Sequence, residues 1–232
     1  MRKLKDKFIL IILLICSILL LCACDIKNED KSSIHDKIKE EVDYIENKIL
    51  TFYSMHAKEE YGNIEELNWD LIKENVIDLN AVLDTVILDM TEVEISNEDI
   101  ILFKDVMNRL SIATANKDIN VVLEEYSALY SILPKYAQKA FYNKNEVKQL
   151  ELKSKIVSSY VYSNLLEWEK AYETVNLAEE MYKFMMDDLD YMKEYDYNLN
   201  KVFVLLSEIK NAISLQEVEL VKIKYVNFIE KI

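Results

Sequence analysis

Glycine and proline are almost absent from this sequence, which contains one of each among 232 residues. Tight turns normally use both residues, because a turn needs either a positive φ or a fixed φ, and average proteins contain about 7% glycine and about 5% proline. Their scarcity argues against β-hairpins, glycine-rich phosphate loops and nucleotide-binding turns. It favours long helices joined by short polar connections, and the hydrophobic content of 51% is sufficient for a packed core.

Positive charge is also scarce, with 28 lysines and arginines against 42 acidic residues and a formal net charge of −14. Residues 1–23 carry a net charge of +3, so the rest of the chain is near −17. A surface this acidic repels phosphate backbones, and we therefore do not expect nucleic acid as a partner. Arg109 is the only arginine after residue 23, and its spacing from Asp105 predicts a surface ion pair rather than an anion-binding site.

All three cysteines lie in the first 24 residues, which have the organisation of a signal peptide. Basic residues crowd positions 2–7, an apolar stretch follows from Phe8 to Leu21, and the small Ala23 precedes Cys24. The apolar stretch is about 14 residues long, short of the roughly 20 that a permanent membrane-spanning helix needs. An uncleaved N-terminal membrane helix is the alternative, and it too would place the rest of the chain outside the cytoplasm.

The tetrad Leu21-Cys22-Ala23-Cys24 resembles the lipobox of bacterial lipoproteins, with Cys22 where alanine or serine is more usual. The resemblance implies that residues 1–23 are removed by cleavage after Ala23. It also implies that Cys24 carries a thioether-linked diacylglycerol and an acyl lipid such as palmitate. We therefore expect a domain anchored on the extracytoplasmic face of the cell membrane by residues 24–31, a short polar tether, with no free thiol and no disulfide.

In residues 32–232, apolar side chains recur at helical spacing and predict an all-α, up-and-down bundle of about six to eight helices. Two stripes are clearest: Ile34, Ile38, Val42, Ile45, Ile49 and Phe52, then Trp69, Ile72, Val76, Leu79, Leu83, Val86 and Met90. No helix breaker appears from Glu146 to about Tyr195, which predicts one long central helix. Fifty helical residues would span about 75 Å, so we expect a kink or break near Thr174 or Asp187. A tetratricopeptide-like solenoid is the second choice, because no repeat recurs at the required spacing.

Polar residues mark several expected helix ends. Ser96 with Asp99, and Ser214 with Glu217, have the spacing of a capping box. Asp118 is placed to cap the fourth helix, which Pro134 is expected to end or kink.

Few residues could carry chemistry. His35 and His56 fall on one predicted helix, roughly 30 Å apart, and cannot share a metal within a subunit. The weak metal candidates are His56 with Glu60, and Met181 with Met185, because each pair shares a helix face. We favour a core-margin position for His56 and a gap-filling role for the methionines, since no further ligand joins either pair.

Two other groups of residues are candidates for function. The acidic patch at Asp187, Asp188 and Asp190 is expected to be a solvated helix face, because a calcium loop needs oxygens that converge from a turn. The 15 tyrosines fit either a binding surface or the outer edge of a core, and the sequence leaves both readings open.

The body of the chain resembles a group of uncharacterised helical lipoproteins from low-GC Gram-positive bacteria. The resemblance rests on Leu67-Asn68-Trp69, Leu129-Tyr130 with Pro134, Trp168, and Ile223-Lys224-Tyr225. It implies no activity, and we expect neither an enzyme nor a cofactor other than the lipid. The sequence predicts a non-enzymatic interaction or structural module of the cell envelope with a protein partner. A metal- or small-ligand-binding lipoprotein is the alternative.

Overall fold

The computed structural model describes residues 34–58, 67–140, 143–187 and 199–229. Within these ranges it contains eight helices and no strand, and 91% of the residues are helical. The all-α bundle predicted from the sequence is therefore confirmed. The helices are α1 (34–58), α2 (Trp69–Glu92), α3 (Asn97–Asn116), α4 (Ile119–Ala140), α5 (Lys144–Asn164), α6 (Trp168–Met186), α7 (Leu199–Ser214) and α8 (Val218–Ile229).

From α2 to α8, each helix packs against the next one along the chain, and α5 also contacts α8. Where the connections are short, as between α3 and α4 or α5 and α6, the chain must fold back directly. This arrangement is the up-and-down topology that the sequence predicted.

Four connections reverse direction without glycine. Glu94, Lys117, Leu166 and Gln216 all have φ between 57° and 61°. At each of them the next residue donates its N–H to a carbonyl five positions back, as Ile95 does to Met90 and Glu167 to Tyr162. This is the Schellman ending of a helix, in which glycine normally occupies the left-handed position. The chain thus makes its turns with ordinary residues held in a costly conformation.

Helix α1 is the central helix of the bundle. Its predicted stripe is buried, with Ile38, Ile49 and Phe52 fully inaccessible. Its polar groups bond to three surrounding helices: Asn75 of α2 donates to the Lys48 carbonyl, Tyr53 donates to the Leu123 carbonyl of α4 at 2.7 Å, and Lys39 pairs with Glu146 of α5.

The two ends of the bundle can be told apart by these contacts. At the near end, where α1 begins, Lys37 meets Asp89 at the end of α2 and Glu41 meets Tyr136 near the end of α4. At the far end, His56 of α1 meets Tyr160 near the end of α5. The turns that follow α3, α5 and α7 therefore all lie at the far end.

The long helix expected from Glu146 to Tyr195 is wrong. The chain breaks at Leu166, so that α5 and α6 form an antiparallel pair. The expected end at Asp187 is confirmed, since this residue is the C-cap of α6, whereas Thr174 lies inside the helix. The break was not foreseen because it contains no glycine, proline or side-chain cap.

Three smaller expectations also need correction. Pro134 lies inside α4, which continues to Ala140, so the helix does not end there, and the alternative of a kink stays a prediction. Ser214 belongs to α7 and donates to the Lys210 carbonyl, so it does not cap the last helix. Arg109 pairs with Glu125 of α4, at 2.9 Å between Nη2 and Oε2, because Glu125 is buried and requires a cation.

The predicted caps at Ser96 and Asp118 are confirmed by their bonds to the backbone N–H groups of Asp99 and Val121. No described helix is both long and apolar enough to cross a membrane.

Candidate functional site

Several residues predicted to matter lie outside the described part of the chain. These are Ala23 and Cys24 with the rest of residues 1–33, Glu60, Asp188 and Asp190. The lipid anchor and the pair of His56 with Glu60 therefore stay predictions.

His56 lies against the aromatic core rather than in an open site. Its Nδ1 is 2.7 Å from the Tyr160 hydroxyl, and its ring lies edge-on to that tyrosine. Burial, and secondarily the charge of Lys222, lower the pKa of His56 to about 4. The imidazole is therefore neutral at pH 7, with one nitrogen occupied by a protein partner.

The tyrosines divide between both readings that the sequence left open. Tyr53, Tyr126, Tyr160 and Tyr225 form a fully buried cluster with Phe52 between α1, α4, α5 and α8. Within the described residues, the hydroxyls of Tyr126 and Tyr225 have no hydrogen-bond partner. Tyr172, in contrast, is exposed on α6.

The methionine pair is part of the packing. Met185 is 2% exposed, and Met181 packs against the core. Across the described ranges, no group of three or more His, Cys, Asp or Glu side chains is arranged to hold a metal ion.

A buried acidic contact joins three helices at the near end. The carboxyl groups of Glu41 and Asp89 lie near each other, so their negative charges repel. Tyr136 donates to Glu41 at 2.6 Å, and the Lys37 ammonium is 2.6 Å from Asp89. Burial, followed by the contact with Asp89, raises the pKa of Glu41 to about 7. These polar groups contact one another rather than an open cavity, so we assign them a role in the stability of the fold.

One candidate for binding is a groove at the far end, between the start of α6 and the end of α7. It has a volume of about 460 Å³ and is lined by Trp168, Glu169, Tyr172, Ile213, Ser214 and Gln216. Ile213 is buried and forms an apolar floor, while Tyr172 is 41% exposed.

Two leucines extend this apolar area onto the flanking turns. Leu166 is 64% exposed in the turn before α6, and Leu215 is 55% exposed in the turn after α7. We call the set of Leu166, Trp168, Tyr172, Ile213 and Leu215 the far-end surface.

Leu166 is unusual in two respects at once. It has a left-handed backbone, which costs about 1–2 kcal/mol for a residue with a Cβ, and its apolar side chain faces solvent. The corresponding positions of the other three turns hold polar residues, Glu94, Lys117 and Gln216. A residue that breaks local rules without a gain in packing is a candidate for function.

Acidic side chains surround the far-end surface. Glu169 lines the groove, Glu173 lies one helical turn further along α6, and Glu217 follows Gln216. All three are exposed, and none forms an ion pair within the described chain. Two cations lie nearby and both have acidic partners: Lys170 is bonded to Glu167, and Lys210, whose ammonium is 5.8 Å from the centroid of the Tyr172 ring, is bonded to Glu179.

A second groove, of about 450 Å³, lies between α2 and α3. Its lining includes Trp69, Lys73, Ile77, Thr114 and Lys117. The Thr114 hydroxyl is buried without a hydrogen-bond partner in the described chain. This groove has an apolar wall, two cations and the carboxylate of Asp70.

The far-end surface could not be found from the sequence, because Leu166 to Trp168 reads as the interior of a long helix. No sequence pattern marked Leu166 as exposed, because it lies three residues after Ser163 and seven after Ser159, both of which are buried on α5. Comparison with protein families, curated proteins and solved structures finds no match for this chain.

Proposed function

We propose that the chain is a membrane-anchored extracytoplasmic lipoprotein whose helical domain is a non-enzymatic interaction module of the cell envelope. The single observation that carries the proposal is the far-end surface, where Leu166, Tyr172 and Leu215 are exposed and Leu166 has a strained backbone. Exposed apolar areas of this kind mark protein–protein contacts.

The position of this surface suits an anchored protein. The tether predicted at residues 24–31 precedes α1 and so leads to the near end of the bundle. Helix α5 has 21 residues, and at about 1.5 Å per residue it separates the two ends by roughly 30 Å. A partner would therefore meet the far-end surface away from the membrane.

Photo-crosslinking in intact cells tests the proposal. A photoreactive phenylalanine replaces Tyr172, and in a matched control it replaces Leu88, which is 70% exposed at the near end. We expect one discrete crosslinked product from position 172 and none from position 88. The product should disappear in the double variant L166S/L215S. Absence of a product at 172, or equal products at both positions, would contradict the proposal.

A small-ligand-binding lipoprotein is the second candidate, and the groove between α2 and α3 favours it. Within the described residues Lys73 and Lys117 form no ion pair, and beside an indole ring they suit a small anionic molecule with an apolar part. Native mass spectrometry of the protein extracted from its own membrane tests this reading, with K73A/K117A as the variant. A bound mass lost in the variant supports it, and an unliganded parent removes it.

A further inference from the structure

We infer that the far-end surface binds a basic amphipathic segment of its protein partner, an inference that rests on the proposed function. The relevant observation is the combination of an apolar floor with unpaired carboxylates at its margin.

The apolar part requires apolar side chains from the partner. The groove offers the ring of Trp168 and the exposed ring of Tyr172 above the buried Ile213. Leu166 and Leu215 stand on the turns at its two sides. A helical segment with apolar residues three and four positions apart presents an apolar stripe that fits into the groove between these two leucines.

The charged part requires positive side chains beside that stripe. Glu169, Glu173 and Glu217 are solvent-exposed and form no ion pair within the described chain. Glu169 and Glu173 lie four residues apart on one face of α6, so their like charges repel unless a cation comes between them. Lysine or arginine residues of a partner would relieve this repulsion and speed association.

Charge also decides against two other occupants. A second copy of this chain would bring the same carboxylates and, beyond residue 23, a net charge near −17. An anionic membrane surface would be repelled for the same reason. A basic segment is the occupant whose charge is complementary.

The test uses the full-length chain in a neutral detergent and two synthetic 18-residue helical peptides. One peptide is built from leucine and lysine, the other from leucine and glutamate with the same apolar stripe. A W69F variant leaves Trp168 as the only tryptophan, so that its emission reports binding in the groove. We expect the lysine peptide to bind at least tenfold more tightly than the glutamate peptide and to shift Trp168 emission.

Two variant pairs locate the binding. The substitutions L166S/L215S should weaken the lysine peptide about tenfold, whereas L177S, at a leucine exposed elsewhere on α6, should not. The substitutions E169Q/E173Q/E217Q should weaken it and reduce its salt dependence. The control E40Q/E98Q/E151Q removes the same charge near the other end and should leave binding nearly unchanged.

Equal affinity for both peptides, or equal losses in the two glutamine triples, would overturn the inference. The proposed function would still stand if residue 172 crosslinks to a partner in cells. Loss of that crosslink would instead remove the proposed function itself.

Discussion

At the scale of single residues, the chain solves the shortage of glycine by placing other residues in the left-handed region. Glu94, Lys117 and Gln216 are polar and exposed, so their side chains tolerate the position at the cost of backbone strain alone. The glycine count predicted few turns of the usual kind, but it could not show that the turns would be made in this way.

Replacing Lys117 or Glu94 by glycine is expected to stabilise the fold by about 0.5–1 kcal/mol each, because relief of left-handed strain exceeds the added entropy of the unfolded chain. Urea denaturation of both variants measures this change. A matched substitution in a helix interior, Lys104→Gly in α3, should destabilise by about 1 kcal/mol. Destabilisation by K117G and E94G would contradict the observed geometry.

The buried tyrosine hydroxyls are expected to differ in how much each contributes to the free energy of unfolding. Tyr53→Phe should cost about 1 kcal/mol, since the Tyr53 hydroxyl donates to the Leu123 carbonyl in the core. Tyr126→Phe and Tyr225→Phe should be neutral or stabilising, because these hydroxyls are buried and have no hydrogen-bond partner among the described residues. Thermal unfolding of the three variants ranks them. A loss from Y126F or Y225F as large as that from Y53F would show that those hydroxyls are bonded.

At the scale of helices, the sequence predicted much of the fold but little of the candidate site. The stripes of α1 and α2 were correct because buried apolar side chains must recur at the helical period. The division between α5 and α6 was missed because Leu165, Leu166 and Glu167 are ordinary helix-forming residues. What forces the turn there is packing between α5 and α6, a tertiary effect that local propensity does not contain.

Ion pairs between helices were also outside the reach of the sequence. Arg109 was expected to pair within α3, yet it reaches the buried Glu125 of α4. Similarly, Glu41 and Asp89 are 48 positions apart in sequence, and only the packing of α1 against α2 brings them together.

The Glu41–Asp89 contact should make stability depend on pH. The pKa of Glu41 rises from 4.5 to about 7 on folding, so the folded state holds more protons between these values. Stability therefore falls as the pH rises from about 4.5 to 7. This pH-dependent loss of stability is on the order of 1 kcal/mol for a partly solvated group, and it should be absent in E41Q.

Thermal unfolding of the parent, E41Q and the exposed control E40Q at pH 5 and pH 8 tests this dependence. His56 acts in the opposite direction, since its lowered pKa of about 4 removes stability as the pH falls below 6.5. The parent and E40Q should thus respond alike, while E41Q gains relative stability at pH 8. A parallel response of all three would contradict the raised pKa of Glu41.

At the scale of the whole molecule, the predicted anchor leads to one end of the bundle, and the far-end surface lies at the other. Stability and function should then conflict at Leu166. Leu166→Gly is expected to raise the free energy of unfolding by about 0.5–1 kcal/mol while it weakens crosslinking from residue 172. Lys117→Gly should stabilise equally and leave the crosslink intact. Retention of the crosslink in L166G would show that Leu166 has no role in binding.

Metabolic labelling with a radioactive fatty acid tests the anchor, on which the proposed location of the domain depends. The parent and C22A should incorporate the label and fractionate with the membrane, since the second position of the tetrad accepts alanine. C24A should incorporate none. Equal labelling of C24A and the parent would contradict the proposal that a lipid on Cys24 anchors the domain to the membrane.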